Sequence, residues 1–190
     1  MAEDFNALTL SRALWRERVP SGGFCIDATA GRGRDTLYLC GLVGQQGRVL
    51  AFDIQKDAVD STRALLEQEG CSGIARVIRD SHSNMAAYAG PESADCIVFN
   101  FGWLPGGDHS VFTRTDTSIA AVKAGLSLLR PGGVMTLCIY YGKETGFAER
   151  DALLSYLPTI DSAHFTVLVH QFVNRPNNPP IAAFVYRERG

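Results

Sequence analysis

The sequence is short of the features that mark secreted domains, metal sites and membrane spans. Its five cysteines are odd in number and contain no Cys-x-x-Cys pair, which argues against a disulfide framework or a zinc site. Cys25, Cys96 and Cys138 fall inside apolar runs, where they read as small buried hydrophobes. No metal is expected. No apolar run approaches the ~20 residues of a membrane helix, and the N-terminus lacks the basic and apolar segments of a secretory signal. A charge excess is also missing. Eighteen basic residues face 20 acidic ones, a net of −2, so any nucleic-acid partner must be met by local basic residues. Repeats, linkers and low-complexity tracts are absent. These absences point to a reduced, cytoplasmic protein with no membrane partner. The 190 residues, 46% of them hydrophobic, suit a single domain over 1–190, with an N-terminal helix at about 4–18 and a core over 24–190.

What the chain does have is a dense stretch from Phe24 to Thr36. The apolar run Phe24-Cys25-Ile26 ends in Asp27, a loop with Gly31 and Gly33 follows, and a helical pattern begins at Asp35. A strand, a tight turn and a helix N-terminus bring backbone N–H groups close to a nucleotide-like ligand. Asp53 ends the next apolar run, roughly 20 residues past the loop, where doubly wound folds hold ribose hydroxyls. A dinucleotide fingerprint wants a third glycine where Thr36 stands. Asp27, with Gly-x-Gly after it and a second acid at the next strand end, looks instead like the S-adenosylmethionine site of class I methyltransferases.

The rest of the chain alternates. Phe5, Leu8, Leu14 and Trp15 recur at helical spacing, with Asp4 as the expected N-cap. Strands are expected at 48–53, 74–78, 95–99, 134–140, 164–170 and 181–186, and helices up to Gly44, over 56–69, 117–129 and 147–157. Met85 to Tyr88 reads as a short helix or turn, and Pro131-Gly132-Gly133 as a helix stop before the fifth strand. Alternation of this kind predicts an α/β fold with a seven-stranded, mostly parallel sheet and helices on both faces. The connection Asn174 to Pro180 is too short and too rich in helix breakers for a crossover. The last two strands must therefore form an antiparallel hairpin, as in the Rossmann-like class I methyltransferases.

After the fourth strand comes Asn100-Phe101-Gly102-Trp103-Leu104-Pro105-Gly106-Gly107-Asp108, at the carboxyl end of the sheet where ligands lie. Methyltransferases acting on amino groups place an Asp or Asn here, whose carbonyl accepts the N–H of the substrate. Asn100, with Trp103 as a stacking surface, resembles that arrangement without its usual Pro-Pro.

Together, the segments Phe24–Thr36, Ala51–Gln55, Ser81-His82, Asn100–Asp108 and Asn174–Pro180 resemble a small bacterial family formerly described as rRNA methylases. Its characterised members are class I enzymes that methylate the aminomethyl group of 5-aminomethyl-(2-thio)uridine at the tRNA wobble position. The resemblance implies S-adenosylmethionine as cofactor, held by Asp27, Ala30, Gly31, Gly33, Asp35, Thr36, Asp53, Ile54, Gln55, Ser81, His82 and Asn100. It implies Asn100, Asp108 and Tyr141 as catalytic candidates, with His109 and Tyr140 as further candidates for base contact or proton acceptance. It implies a tRNA anticodon loop as partner, touched by Trp103, Leu104, Pro105, Gly106, His109, Lys143 and Arg175. Lys143, Arg175 and Pro176 depart from the family pattern at the substrate edge. Arg32, Arg34, Arg114 and Lys123 are further basic residues at or near that edge. An rRNA methyltransferase or a small-molecule amine or phenol methyltransferase would share every cofactor feature, and a nicotinamide-dependent oxidoreductase is the remoter alternative. A monomer and a homodimer both fit the chain.

Overall fold

Strand β1 (Phe24–Asp27) is buried over its whole length, with β2 (Arg48–Asp53) on one side and β4 (Ala94–Phe101) on the other, all parallel. This computed structural model describes residues 5–102 and 114–189. Adding β3 (Ala75–Arg79), β5 (Leu129–Ile139), β6 (Phe165–His170) and β7 (Ile181–Arg187) gives one seven-stranded sheet in the order β3-β2-β1-β4-β5-β7-β6. Strands β3 to β5 are parallel, as expected of continuous apolar runs covered on both faces. Strand β7 is antiparallel to both β5 and β6, so the terminal hairpin forms as its short connection requires.

Helices α1 (Ala7–Arg18), α2 (Arg34–Val43) and α3 (Lys56–Gln68) precede β4, while α4 (Thr115–Leu128) and α5 (Lys143–Tyr156) follow it. Side chains alternate across a strand, and β4 divides them cleanly. Ile97, Phe99 and Phe101 enter one core with residues of α4 and α5. Cys96 and Val98 enter the other with Trp15 of α1 and Leu39 of α2. Asn100 follows that second face. No described helix is long and apolar enough to cross a membrane.

Several boundaries differ from the sequence expectation. Asp4 lies outside the described residues; the N-cap of α1 is Asn6, whose side chain accepts the Thr9 N–H in a capping box. Asn100 and Phe101 are the last two residues of β4 and not a loop after it. Pro131-Gly132-Gly133 does not separate helix from strand. Helix α4 ends at Leu128, and the three residues form a bulge inside β5, since Ala94 pairs with Leu129 but Cys96 with Val134.

Candidate active site

The glycine loop is built on two carboxylates with different tasks. Asp27 is fully buried, and its carboxylate accepts the Thr29 N–H at 3.1 Å and the Thr36 hydroxyl at 2.6 Å. Burial, then the charge of Asp35, push its pKa up to about 7. Asp53, at the end of β2, faces the loop from the other side. Its Oδ2 accepts the Gly31 N–H and its Oδ1 the Gln55 N–H, each at 2.9 Å. Burial raises Asp53 above the usual carboxylate range, while the N–H groups of Gln55, Gly31 and Ile54 pull the other way. A carboxylate offers about four acceptor sites, so Asp53 keeps acceptor capacity beyond these N–H groups. Ile54 beside it is 51% exposed, an apolar surface next to a hydrogen-bonding acid.

Gly33 closes the loop in the left-handed region at φ 80°, and a Cβ there would lie 2.9 Å from Cγ2 of Thr62. The Thr62 hydroxyl in turn donates to the Gly31 carbonyl at 3.0 Å. Helix α3 thus packs directly on the loop and fixes its shape. Ala30 joins the loop to the sheet by donating its N–H to the Phe52 carbonyl at 2.8 Å.

Asn100 stands beside this loop. Its backbone N–H donates to the Thr29 hydroxyl at 2.7 Å, and its Nδ2 donates to Asp35 Oδ2 at 3.0 Å. The other oxygen of Asp35 is held by Arg12 at 2.6 Å. Asp35 is thereby engaged by Arg12 and Asn100, while Thr36 is engaged by Asp27. The Oδ1 of Asn100 has no partner among the described residues and remains an acceptor at the carboxyl end of the sheet.

His82 lies on the opposite face of β4. It opens the short 3-10 helix His82–Ala87, capped by Ser81, and its ring packs edge-on against Phe99 and Phe101 at 6.2 and 6.1 Å. Its Nε2 is buried without a hydrogen-bond partner, and burial lowers its pKa to about 4. The imidazole is therefore neutral at physiological pH, able to exchange a hydrogen bond but not to carry charge. Asp80 braces this turn by accepting from the Ser81 N–H, Asn84 and the Tyr88 hydroxyl.

Tyr141 and Arg175 meet at one cleft of about 340 Å³ that is also lined by Phe172, Asn177 and Pro179. The Arg175 guanidinium lies 4.3 Å from the Phe172 ring centroid. Burial pushes the Tyr140 phenol up to about 12, which keeps it protonated and unsuited to accepting a proton. Trp103, Leu104, Pro105, Gly106, Asp108 and His109 lie outside the described residues, as does the side chain of Lys143. Lys123 is not at the substrate edge. It lines a separate groove with Glu92, His164 and Arg187, at the amino ends of the parallel strands, because α4 runs back from the carboxyl end of the sheet. Sequence reasoning missed Arg12, Thr29 and Thr62. Thr29 lies within the glycine loop and was legible as a short polar residue there, whereas Arg12 and Thr62 come from other helices and carry no local signal.

Comparison with known proteins fits this geometry. A family profile described as Putative rRNA methylase matches residues 49–186. The chain is 34% identical over 192 residues to the chloroplastic tRNA (mnm(5)s(2)U34)-methyltransferase of Arabidopsis thaliana, covering 96% of this chain and 70% of that one. A putative rRNA methylase from Clostridium thermocellum superposes with a TM-score of 0.94 at 38% identity, over 96% of this chain and 98% of the other. A putative methyltransferase from Streptococcus mutans in complex with SAH gives 0.87 at 32% identity, with the same coverage of 96% and 98%.

Proposed function

We propose that this chain, which belongs to the family described as Putative rRNA methylase and is an S-adenosylmethionine-dependent methyltransferase, acts on tRNA. Its substrate on this reading is the primary amine of 5-aminomethyl-(2-thio)uridine at the wobble position of the anticodon loop. The observation that carries the reading is Asn100. Its carboxamide nitrogen is committed to Asp35, so the oxygen is presented as an acceptor, as a group that orients an amino N–H requires. The 34% identity to a tRNA wobble-uridine methyltransferase supports the choice of substrate.

The residues fit the cofactor. Asp53 has acceptor capacity left for a ribose diol, Ile54 offers an apolar face, and the left-handed Gly33 lets the loop turn tightly against α3. When bound, S-adenosylmethionine supplies an electrophilic methyl group on its sulfonium. The protein's own contribution is positioning, which can supply much of a bimolecular barrier. Asn100 Oδ1 accepts an N–H of the neutral amine and aims its lone pair. With the amine held in line by Asn100, transfer of that methyl group to its nitrogen would leave S-adenosylhomocysteine, and the proton lost by the amine would pass to solvent.

Deleting the gene in its host and analysing tRNA nucleosides tests the reading. The expected result is accumulation of the unmethylated aminomethyl nucleoside, reversed in vitro by the purified protein with S-adenosylmethionine. Unchanged wobble uridines would overturn it.

A further inference from the structure

We propose that Arg12 of α1 is a positioning residue for Asn100, acting through Asp35 to hold the carboxamide with its oxygen turned toward the acceptor amine. The inference rests on the reading of Asn100 given above. An asparagine side chain has two nearly isosteric ends, one donating and one accepting. Only its surroundings decide which end faces the substrate. Asp35 Oδ2, an acceptor, takes the Nδ2 end at 3.0 Å; a flipped carboxamide would set oxygen against oxygen there.

Asp35 is itself only 9% exposed, and a buried carboxylate is tolerated when it is paired and hydrogen-bonded. Arg12 supplies the pair. Its Nη2 lies 2.6 Å and its Nε 3.2 Å from Asp35 Oδ1, a charge-assisted contact of the stronger kind. The guanidinium carbon also lies over the Tyr38 ring of α2, 4.9 Å from its centroid.

The helix that carries Arg12 is fixed to the same part of the sheet. Trp15 Nε1 donates to Thr136 Oγ1 at 2.9 Å, and Ser11 Oγ lies 3.3 Å from Cys138 Sγ. Cys138 is the residue of β5 that stands in register with Asn100. Helix α1 is thus indexed to the strand rung that presents the acceptor.

The test uses the full chain, saturating S-adenosylmethionine and tRNA bearing the unmethylated aminomethyl group. Arg12→Ala should slow single-turnover methylation about tenfold, less than the ~10²-fold attached to full loss of orientation. Arg12→Lys, which keeps the charge, should recover most of that rate. In an Asn100→Ala background, Arg12→Ala should add less than about twofold, because residues acting in series do not add. A tenfold loss in both backgrounds would overturn the relay while leaving the role of Asn100 intact. If Asn100→Ala alone left the rate unchanged, the reading of Asn100 would fail, and the relay is then judged without substrate. Hydrogen exchange of the Asn100 side-chain amide, followed by NMR, should accelerate about tenfold in Arg12→Ala; an unchanged rate would reject the relay. Arg12→Gln, which keeps a stem to pack on Tyr38, serves the same measurements if Arg12→Ala does not fold.

Discussion

The Thr36 hydroxyl donates to the Asp27 carboxylate at 2.6 Å, and both side chains are fully buried. A dinucleotide fingerprint would carry a glycine at position 36 so that helix and strand could pack closely. Here that position instead satisfies a buried acid. Thr36→Val removes the donor while keeping the shape, and leaving a buried acceptor short of a partner costs about 1–3 kcal/mol. Urea unfolding should show that loss for Val and little loss for Thr36→Ser.

The same acid sets one pH dependence and His82 sets an opposing one. Asp27 is raised from its ordinary 3.8 to about 7, by burial first and by the charge of Asp35 second. The folded state holds this proton more tightly than the unfolded chain, so the stability it contributes is full below about 4 and is lost as pH rises through about 7. His82 is lowered from 6.5 to about 4 by burial. Its contribution is present above 6.5 and is lost as pH falls through about 4. Between those limits the two contributions oppose each other, each changing by no more than ~1.4 kcal/mol per pH unit. Asp27→Asn should therefore gain stability relative to wild type as pH rises from 4.5 to 7.5, and His82→Phe should lose it. Urea midpoints at the two pH values check both signs.

Asp53 is the proposed ribose contact, and charge-assisted hydrogen bonds of that kind are worth roughly 1.5–3 kcal/mol each. Asp53→Ala should weaken S-adenosylmethionine binding at least tenfold by calorimetry. Because Asp53 also receives the Gly31 and Gln55 N–H groups, Asp53→Asn is the necessary companion. It keeps one acceptor oxygen for the loop, and it should fold normally and still bind weakly. Wild-type affinity in both would remove the ribose assignment.

Asn100→Ala should cut single-turnover methylation on the order of 10²-fold while changing cofactor affinity much less. A rate loss accounted for wholly by weaker cofactor binding would make Asn100 a pocket wall instead. Asn100→Asp separates the two ends of the carboxamide. It keeps an acceptor oxygen but sets a second carboxylate against Asp35 Oδ2, where the Nδ2 donor now lies at 3.0 Å. If the acceptor alone mattered, Asp would retain substantial activity. The hydrogen-bond geometry predicts that it does not, and that lowering the pH narrows the gap to wild type measured at the same pH, by neutralising one of the two acids.

Much of this protein was legible in the linear sequence because the signals are local. The apolar runs ending in Asp27 and Asp53 became β1 and β2, and the breaker-rich Asn174–Pro180 segment forced the antiparallel β6–β7 pair. Positive-φ glycines and strand-end acids follow from the stereochemistry of a few neighbouring residues, so spacing alone reveals them. Tertiary structure decided what spacing cannot encode. Asp35 stands at the start of α2, and nothing near it in the sequence shows that its two oxygens are divided between Arg12, 23 residues away, and Asn100, 65 residues away. Helix α1 was legible only as an amphipathic helix; that it packs on β5 and delivers a guanidinium to the loop depends on the order of strands in the sheet. Which face Asn100 takes follows from the pleat of β4, and the partners waiting there come from elements brought together only when the sheet closes over its two cores. The reason is physical: a carboxylate or amide has no role fixed by its own identity, only by the donors and charges that folding places within 3 Å of it.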